Sequence, residues 1–125
     1  MLPTKSAPVL IVEDDAVLRS LYRTTLQLEG FIVITAEDGV HALHHLELHK
    51  PAVVVLDLNL PRLNGRDVGR ELKGRADTCH IPIVIVTGED ASDLNPADFA
   101  CILRKPLDPG DIVSAVRRCL SRAPA

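Results

Sequence analysis

The stretch Ala52-Val53-Val54-Val55-Leu56-Asp57-Leu58-Asn59-Leu60-Pro61 decides how this chain folds. An unbroken apolar run, rich in β-branched residues and bounded by Pro51 and Pro61, ends on a carboxylate at Asp57. Its length and composition match a strand buried on both faces rather than a helix. A lone charge inside such a sheet is costly, so Asp57 belongs at an open edge of the sheet with a partner. The same construction occurs twice more: Val9-Leu10-Ile11-Val12 runs into Glu13-Asp14-Asp15, and Ile83-Val84-Ile85-Val86 runs into Thr87-Gly88.

Outward from these three runs, helical spacing fills the gaps. Val17, Leu18, Leu21, Thr25 and Leu28 recur at helical intervals from Asp15 to about Leu28, with Gly30 as the stop. A strand is expected at Phe31 to Thr35, then a helix from about Asp38 to Leu48 with Val40, Leu43 and Leu46 inward. Gly65 to about Gly74 reads as a weaker helix carried by Val68 and Leu72. Gly88 to Phe99 leaves room for one or two helical turns, because Asn95-Pro96 marks a turn within it. A fifth strand is expected at Ala100 to Leu103. The last helix has a clear start, with Asp108 as N-cap, Pro109 at the first position and Asp111 in the first turn. Its expected inward face is Ile112, Val116, Cys119 and Leu120.

Strands and helices alternate five times, which predicts an α/β domain with a parallel sheet covered on both faces. With 125 residues the chain makes one domain, and an aromatic fraction of 2% means that Leu, Val, Ile and Ala fill its core. Residues 1–7 read as a lead-in, 8–121 as the domain and 122–125 as a tail. A net charge of −3 provides no basic footprint for nucleic acid or for an anionic membrane surface. No apolar stretch approaches the roughly 20 residues that span a bilayer, and the N-terminus lacks a signal pattern; a cytoplasmic protein is expected. Cys79, Cys101 and Cys119 are odd in number and widely spaced, which suggests small hydrophobes rather than a disulfide framework or zinc cluster.

Open parallel sheets bind ligands beyond the carboxyl ends of their strands. Glu13, Asp14, Asp57, Thr87 and Lys105 all fall just past strand ends and are predicted to share one rim. Clustered carboxylates raise each other's pKa unless a cation intervenes. A hard divalent ion such as Mg2+ suits them, held by Glu13, Asp14, Asp57 and the backbone carbonyl of Asn59. Asp57 could then attack phosphorus and carry it as an acyl phosphate. Lys105 would offer an ammonium to one phosphoryl oxygen and Thr87 a hydroxyl to another. The blander alternative, that strand-end acids cap helices and solvate turns, is preferred for Asp15 alone.

Ile11-Val12-Glu13-Asp14-Asp15, Leu56-Asp57-Leu58-Asn59-Leu60-Pro61, Asn64-Gly65, Val86-Thr87-Gly88 and Lys105-Pro106, taken in order, resemble the receiver (phosphoacceptor) domain of bacterial two-component response regulators. The resemblance covers nearly the whole chain. It implies a flavodoxin-like, doubly wound five-stranded sheet of order 2-1-3-4-5, Asp57 as phosphoacceptor, Mg2+ at Glu13, Asp14 and Asn59, and phosphoryl contacts from Thr87 and Lys105. A cis peptide between Lys105 and Pro106 is also implied. The implied partner is a sensor histidine kinase or a histidine phosphotransfer protein in a phosphorelay, meeting the first helix near Leu18, Leu21 and Tyr22. The chain would be no enzyme beyond its own phosphorylation and dephosphorylation.

Three features depart from that pattern. Ile102 stands where receivers usually carry an aromatic read-out residue, and Phe99 is near in sequence but differently spaced. The segment between Thr87 and Lys105 is several residues short, so the helix that normally precedes the fifth strand is shortened and the usual symmetric dimer through it is not expected. Gly88 replaces the commoner alanine, while Asn59 and Glu89 stand on the water route of the family. Separately, His41, His45 and His49 recur at intervals of four beside His44, a spacing compatible with a zinc or nickel site but more often a solvated face. Two other functions stay open. A haloacid-dehalogenase-like phosphatase would need a second acid where Asn59 stands, and a pseudo-receiver would bind partners without phosphorylation. The ending at Ser121-Arg122-Ala123-Pro124-Ala125 fits a free-standing regulator and a receiver cut from a longer protein equally well.

Overall fold

The computed structural model describes residues 7–121. The lead-in expected over 1–7 lies, apart from Ala7, outside the described residues, as does the tail expected over 122–125. Five parallel strands, β1 (Val9–Val12), β2 (Val33–Ala36), β3 (Val53–Leu56), β4 (Ile83–Thr87) and β5 (Cys101–Arg104), stand in the order β2-β1-β3-β4-β5. Four helices connect or follow them: α1 (Ala16–Leu28), α2 (Gly39–Leu48), α3 (Gly65–Gly74) and α4 (Pro109–Ser121). This is the flavodoxin-like arrangement, with its ligand edge where the strand order reverses between β1 and β3.

Alternation along each strand divides the core in two. Leu10, Val12, Val54, Leu56, Ile83 and Ile85 pack against Ala42 and Leu46 of α2 and Val68 and Leu72 of α3. Val9, Ile11, Val53, Val55, Val84 and Val86 point the other way, against Tyr22 and Leu26 of α1 and Ile112, Ala115 and Val116 of α4. Every residue of β1, β3 and β4 is buried, which is why these runs show no polar alternation.

Several expected faces and boundaries shift. In α1 the buried residues are Tyr22 and Leu26, with Leu18 packed partly against them, whereas Val17, Leu21 and Leu28 are exposed. Leu18, Tyr22 and Leu26 form an i, i+4, i+8 stripe, and the other apolar set is rotated off it by about a residue's 100° turn. In α2, Leu46 inward carries Ala42 and Leu43 with it and turns Val40 outward, to 42% exposure. In α4, Val113 and Ala115 join Ile112 and Val116, while Leu120 is exposed beside a cavity of about 470 Å³ that it lines with Ala52 and Pro82. β2 starts at Val33 rather than Phe31 because the Phe31 N–H is spent on the Leu26 carbonyl at 3.1 Å, closing α1 around Gly30 at φ +95°.

The largest departure is the β4–β5 crossover. Among the described residues it holds no α-helix, only a single 3-10 turn at Pro96–Asp98 capped by the Asn95 side chain. The helix expected here in shortened form is thus reduced further. Asn95-Pro96 initiates that turn, and Phe99 follows with extended backbone. Phe99 lies against α3, where a Cβ built on Gly69 would sit 3.7 Å from its ring.

Candidate functional site

The loops after β1, β3, β4 and β5 form one cavity of about 450 Å³ at the C-terminal edge of the sheet, lined by Glu13, Asp14, Asp57, Asn59, Glu89 and Lys105 among others. Parallel pairing places Val12 opposite both Ala36 and Leu56, so Glu13 and Asp57 leave the sheet side by side. Their backbones remain tied down: Glu13 N–H donates to the Ala36 carbonyl at 3.1 Å and Asp57 N–H to the Val12 carbonyl at 3.0 Å.

Lys105 brings the acids together. Its Nζ donates to Glu13 Oε1 at 2.7 Å and to Asp57 Oδ2 at 3.1 Å. Carboxylate oxygens of Glu13, Asp14 and Asp57 lie within 4.8 Å of one another, with Glu13 and Asp57 buried and Asp14 exposed. The second oxygens of Glu13 and Asp57 have backbone donors: Asp15 N–H to Glu13 Oε2 and Asn59 N–H to Asp57 Oδ1, each at 3.1 Å. Burial pushes the Glu13 carboxyl up to about 7, the Lys105 hydrogen bond opposes this, and the Asp57 charge adds to it. For Lys105 burial acts downward, but the two carboxylates outweigh it and hold the ammonium above its usual range.

Local sequence explains the precision of the rim. Asp15 caps α1, its Oδ1 accepting from Val17 N–H at 2.9 Å and Leu18 N–H at 3.0 Å, as expected. Arg19 then reaches back and donates to the Glu13 carbonyl at 2.9 Å, a support the sequence reading missed. On the far side Asn64 caps α3. Gly65 lies so close to the β3 loop that a Cβ there would sit 2.1 Å from the Asp57 carbonyl oxygen. Only glycine fits this approach, and it fixes the start of α3 against Asp57. The Lys105–Pro106 peptide is cis, in line with the resemblance.

Thr87 ends β4 fully buried, and its Oγ1 accepts the Glu89 N–H at 3.2 Å. The β5 loop is tied to it, with Lys105 N–H donating to the Thr87 carbonyl at 2.9 Å. Thus Glu13, Asp14, Asp57 and Lys105 are assembled, Asn59 lines the cavity, and the Thr87 hydroxyl is engaged behind it. Ile102 sits in β5, paired with Ile85 and partly buried on the α2–α3 face.

The donor set fits a hard cation. Three carboxylates within reach of one another, two of them buried and one driven towards neutrality by burial, are relieved by a divalent charge, and oxygen ligands suit Mg2+. The histidine ladder is different. His41 and His45 rings stand 4.7 Å apart and His45 and His49 rings 5.8 Å apart, but no three donor atoms converge there among the described residues. His45 is not a fully solvated residue either: its Nδ1 is buried with no hydrogen-bond partner, and burial followed by the neighbouring imidazoles lowers its pKa.

Residues 9–117 match the family model of the response regulator receiver domain. Response regulator MprA of Mycobacterium tuberculosis is 33% identical over 121 residues, covering 94% of this chain and 52% of that protein. The chain spans about half the length of the curated relatives it matches. Among solved structures, the chemotaxis response regulator CheY4 of Vibrio cholerae superposes with a TM-score of 0.83 at 27% identity, covering 92% of this chain and 99% of that one. The response regulator TrrA of Thermotoga maritima, solved in complex with Mg2+–BeF, gives a TM-score of 0.81 at 25% identity, covering 90% and 98%. No helix among the described residues is long and apolar enough to cross a membrane. A family match over nearly all of the described domain, on a sheet of the same strand order, means that this chain belongs to the receiver domains of response regulators, which are signalling domains and not conventional enzymes.

Proposed function

We propose that Asp57 accepts a phosphoryl group from a phosphohistidine of a sensor histidine kinase or a histidine phosphotransfer protein, and that this modification is the signal the domain carries. The observation that carries the reading is the Lys105 ammonium bridging Asp57 and Glu13 inside a solvent-accessible acidic cavity. An acceptor carboxylate needs its charge offset before an anionic donor can approach, and phosphoryl transfer depends mainly on positioning and charge neutralisation.

Glu13, Asp14, Asp57 and the Asn59 carbonyl would hold Mg2+, which when bound offsets charge on the carboxylates and on a phosphoryl oxygen. Asp57 Oδ2 bonds to phosphorus while the donor's phosphorus–nitrogen bond breaks and its electron pair returns to the histidine. Lys105 Nζ follows the charge from Asp57 to a phosphoryl oxygen. Thr87 would donate its hydroxyl proton to another, a proton that accepting the Glu89 N–H leaves free. Asn59 in place of an acid supplies no proton for a leaving group, which disfavours the phosphatase alternative.

Val17 and Leu21 leave exposed apolar surface on the first turns of α1, beside the cavity that Leu18 lines. That exposure supports α1 as the partner surface. With only a 3-10 turn between β4 and β5, the usual dimer through that region is not expected. Incubation with Mg2+ and a small acyl-phosphate donor, followed by intact-mass measurement, tests the reading. One added phosphoryl group is expected, lost in Asp57→Asn; no uptake, or uptake persisting in Asp57→Asn, contradicts it.

A further inference from the structure

The β4–β5 crossover has little regular structure; Ala91, Leu94 and Phe99 rest on the core, and one side chain gathers its polar groups. Arg66, the second residue of α3, donates Nη1–H to Glu89 Oε1 at 2.6 Å and Nε–H to Asp93 Oδ2 at 2.8 Å. Nη2 donates to Asp93 Oδ1 at 2.9 Å and to the Asp90 carbonyl at 3.1 Å. The Asp93 contact is a bidentate fork, the geometry in which guanidinium outperforms ammonium. Arg66 itself stands on a fixed base, because the preceding Gly65 abuts the Asp57 carbonyl.

Glu89 is therefore held at two points. Its carboxylate is on Arg66, and its N–H is on the Thr87 hydroxyl at 3.2 Å. It also lines the Asp57 cavity. We infer that Arg66 is a positioning residue for phosphoryl exchange at Asp57: by pairing with Glu89 it keeps a further carboxylate, beyond those of Glu13, Asp14 and Asp57, from acting at the cavity mouth. The inference rests on Asp57 being the phosphoacceptor.

Two consequences follow from freeing that carboxylate. An anionic small-molecule donor meets an uncompensated negative charge at the mouth, so phosphorylation slows. Hydrolysis is faster. A water oxygen bonds to phosphorus as the phosphorus–oxygen bond to Asp57 breaks, and the electron pair returns to the Asp57 carboxylate. The water's proton passes to the freed Glu89 carboxylate and on to solvent, and inorganic phosphate leaves. Both effects pass through Glu89. They separate Arg66 from a residue that merely holds the loop.

The test compares wild type, Arg66→Met, Arg66→Lys, Glu89→Gln, the double variant Arg66→Met with Glu89→Gln, and Asp93→Asn. Each is phosphorylated with acetyl phosphate and Mg2+, then followed by mass during uptake and after donor removal. Arg66→Met is expected to slow uptake and to speed loss, each several-fold. The Glu89→Gln background should abolish both changes, Arg66→Lys should restore most of the wild-type rates, and Asp93→Asn, which loosens the loop but leaves the Glu89 pair, should change little. Unchanged rates in Arg66→Met, equal changes with and without Glu89→Gln, or Asp93→Asn reproducing Arg66→Met would overturn the inference. Failure of wild type to take up phosphate at all would overturn the phosphoacceptor reading, and this inference with it.

Discussion

The rim at the ends of β1, β3 and β5 and the crossover between β4 and β5 adjoin the same cavity but are built differently. The rim is fixed by backbone hydrogen bonds from the sheet, buried carboxylates and a lysine that bridges them. The crossover is mostly exposed, has one 3-10 turn, and is held by ion pairs from a single arginine and by Ala91, Leu94 and Phe99 packed on the edge of the core. One region is over-determined and the other hangs on few contacts. On the proposed phosphoacceptor role, binding a phosphoryl group would demand close placement, which rigid strand ends supply, and transmitting its presence would demand a segment whose free-energy cost of rearrangement is small.

The contrast is broken most strongly by disturbing the rigid side. Gly65→Ala forces a Cβ against the Asp57 carbonyl, a backbone atom that cannot swing away, and is expected to destabilise the domain by about 3 kcal/mol or more. Chemical denaturation measures it. Lys105→Met removes the bridging ammonium and should slow acyl-phosphate-driven phosphorylation by about 100-fold, with Asp57 still present as acceptor. Stopped-flow or quench kinetics read this directly.

A pH titration sharpens the same contrast. Glu13 has a folded-state pKa raised from 4.5 to about 7, so the folded state favours its neutral form. Stability from this group is fully present below pH 4.5 and is lost as pH rises through about 7, on the order of 2 kcal/mol in the absence of metal. Added Mg2+ should flatten the loss, and Glu13→Gln should abolish it. Thermal melts from pH 4.5 to 8 with and without Mg2+ provide the measurement.

Much of the rim was legible in the sequence because each acid ends an apolar run and parallel strands must align their ends. The N-caps at Asp15 and Asp108 were legible for the same local reason: Asp108 Oδ1 accepts the Gly110 N–H at 2.8 Å. What escaped was rotational phase and tertiary pairing. In α1 two apolar stripes compete, and only packing selects Tyr22 and Leu26 over Val17 and Leu21. Arg66 finds Glu89 and Asp93 across 23 and 27 positions, a distance at which no spacing rule operates. The crossover was ambiguous in sequence and has little regular structure in space, both because Asn95-Pro96 interrupts it and because its cohesion comes from those long-range pairs and from Ala91, Leu94 and Phe99 resting on the core.

The smallest effect concerns neither region. His45 is half-buried, its Nδ1 has no hydrogen-bond partner, and its one backbone bond, to Thr35, is the only polar contact an apolar side chain would forfeit, so His45→Leu should leave stability within about 1 kcal/mol of wild type. A loss of several kcal/mol in denaturation would show that His45 has a bound partner in solution.

The proposed role of Asp57 is tested most directly by locating the phosphoryl group. Borohydride reduction of the protein after treatment with acetyl phosphate and Mg2+ converts an acyl phosphate on a side-chain carboxylate to the alcohol, and peptide mass mapping then locates it. Reduction at Asp57, and at no other carboxylate, is the predicted result; reduction at Glu13 or Asp14, or an Asp57 that remains unreduced in phosphorylated protein, would contradict it.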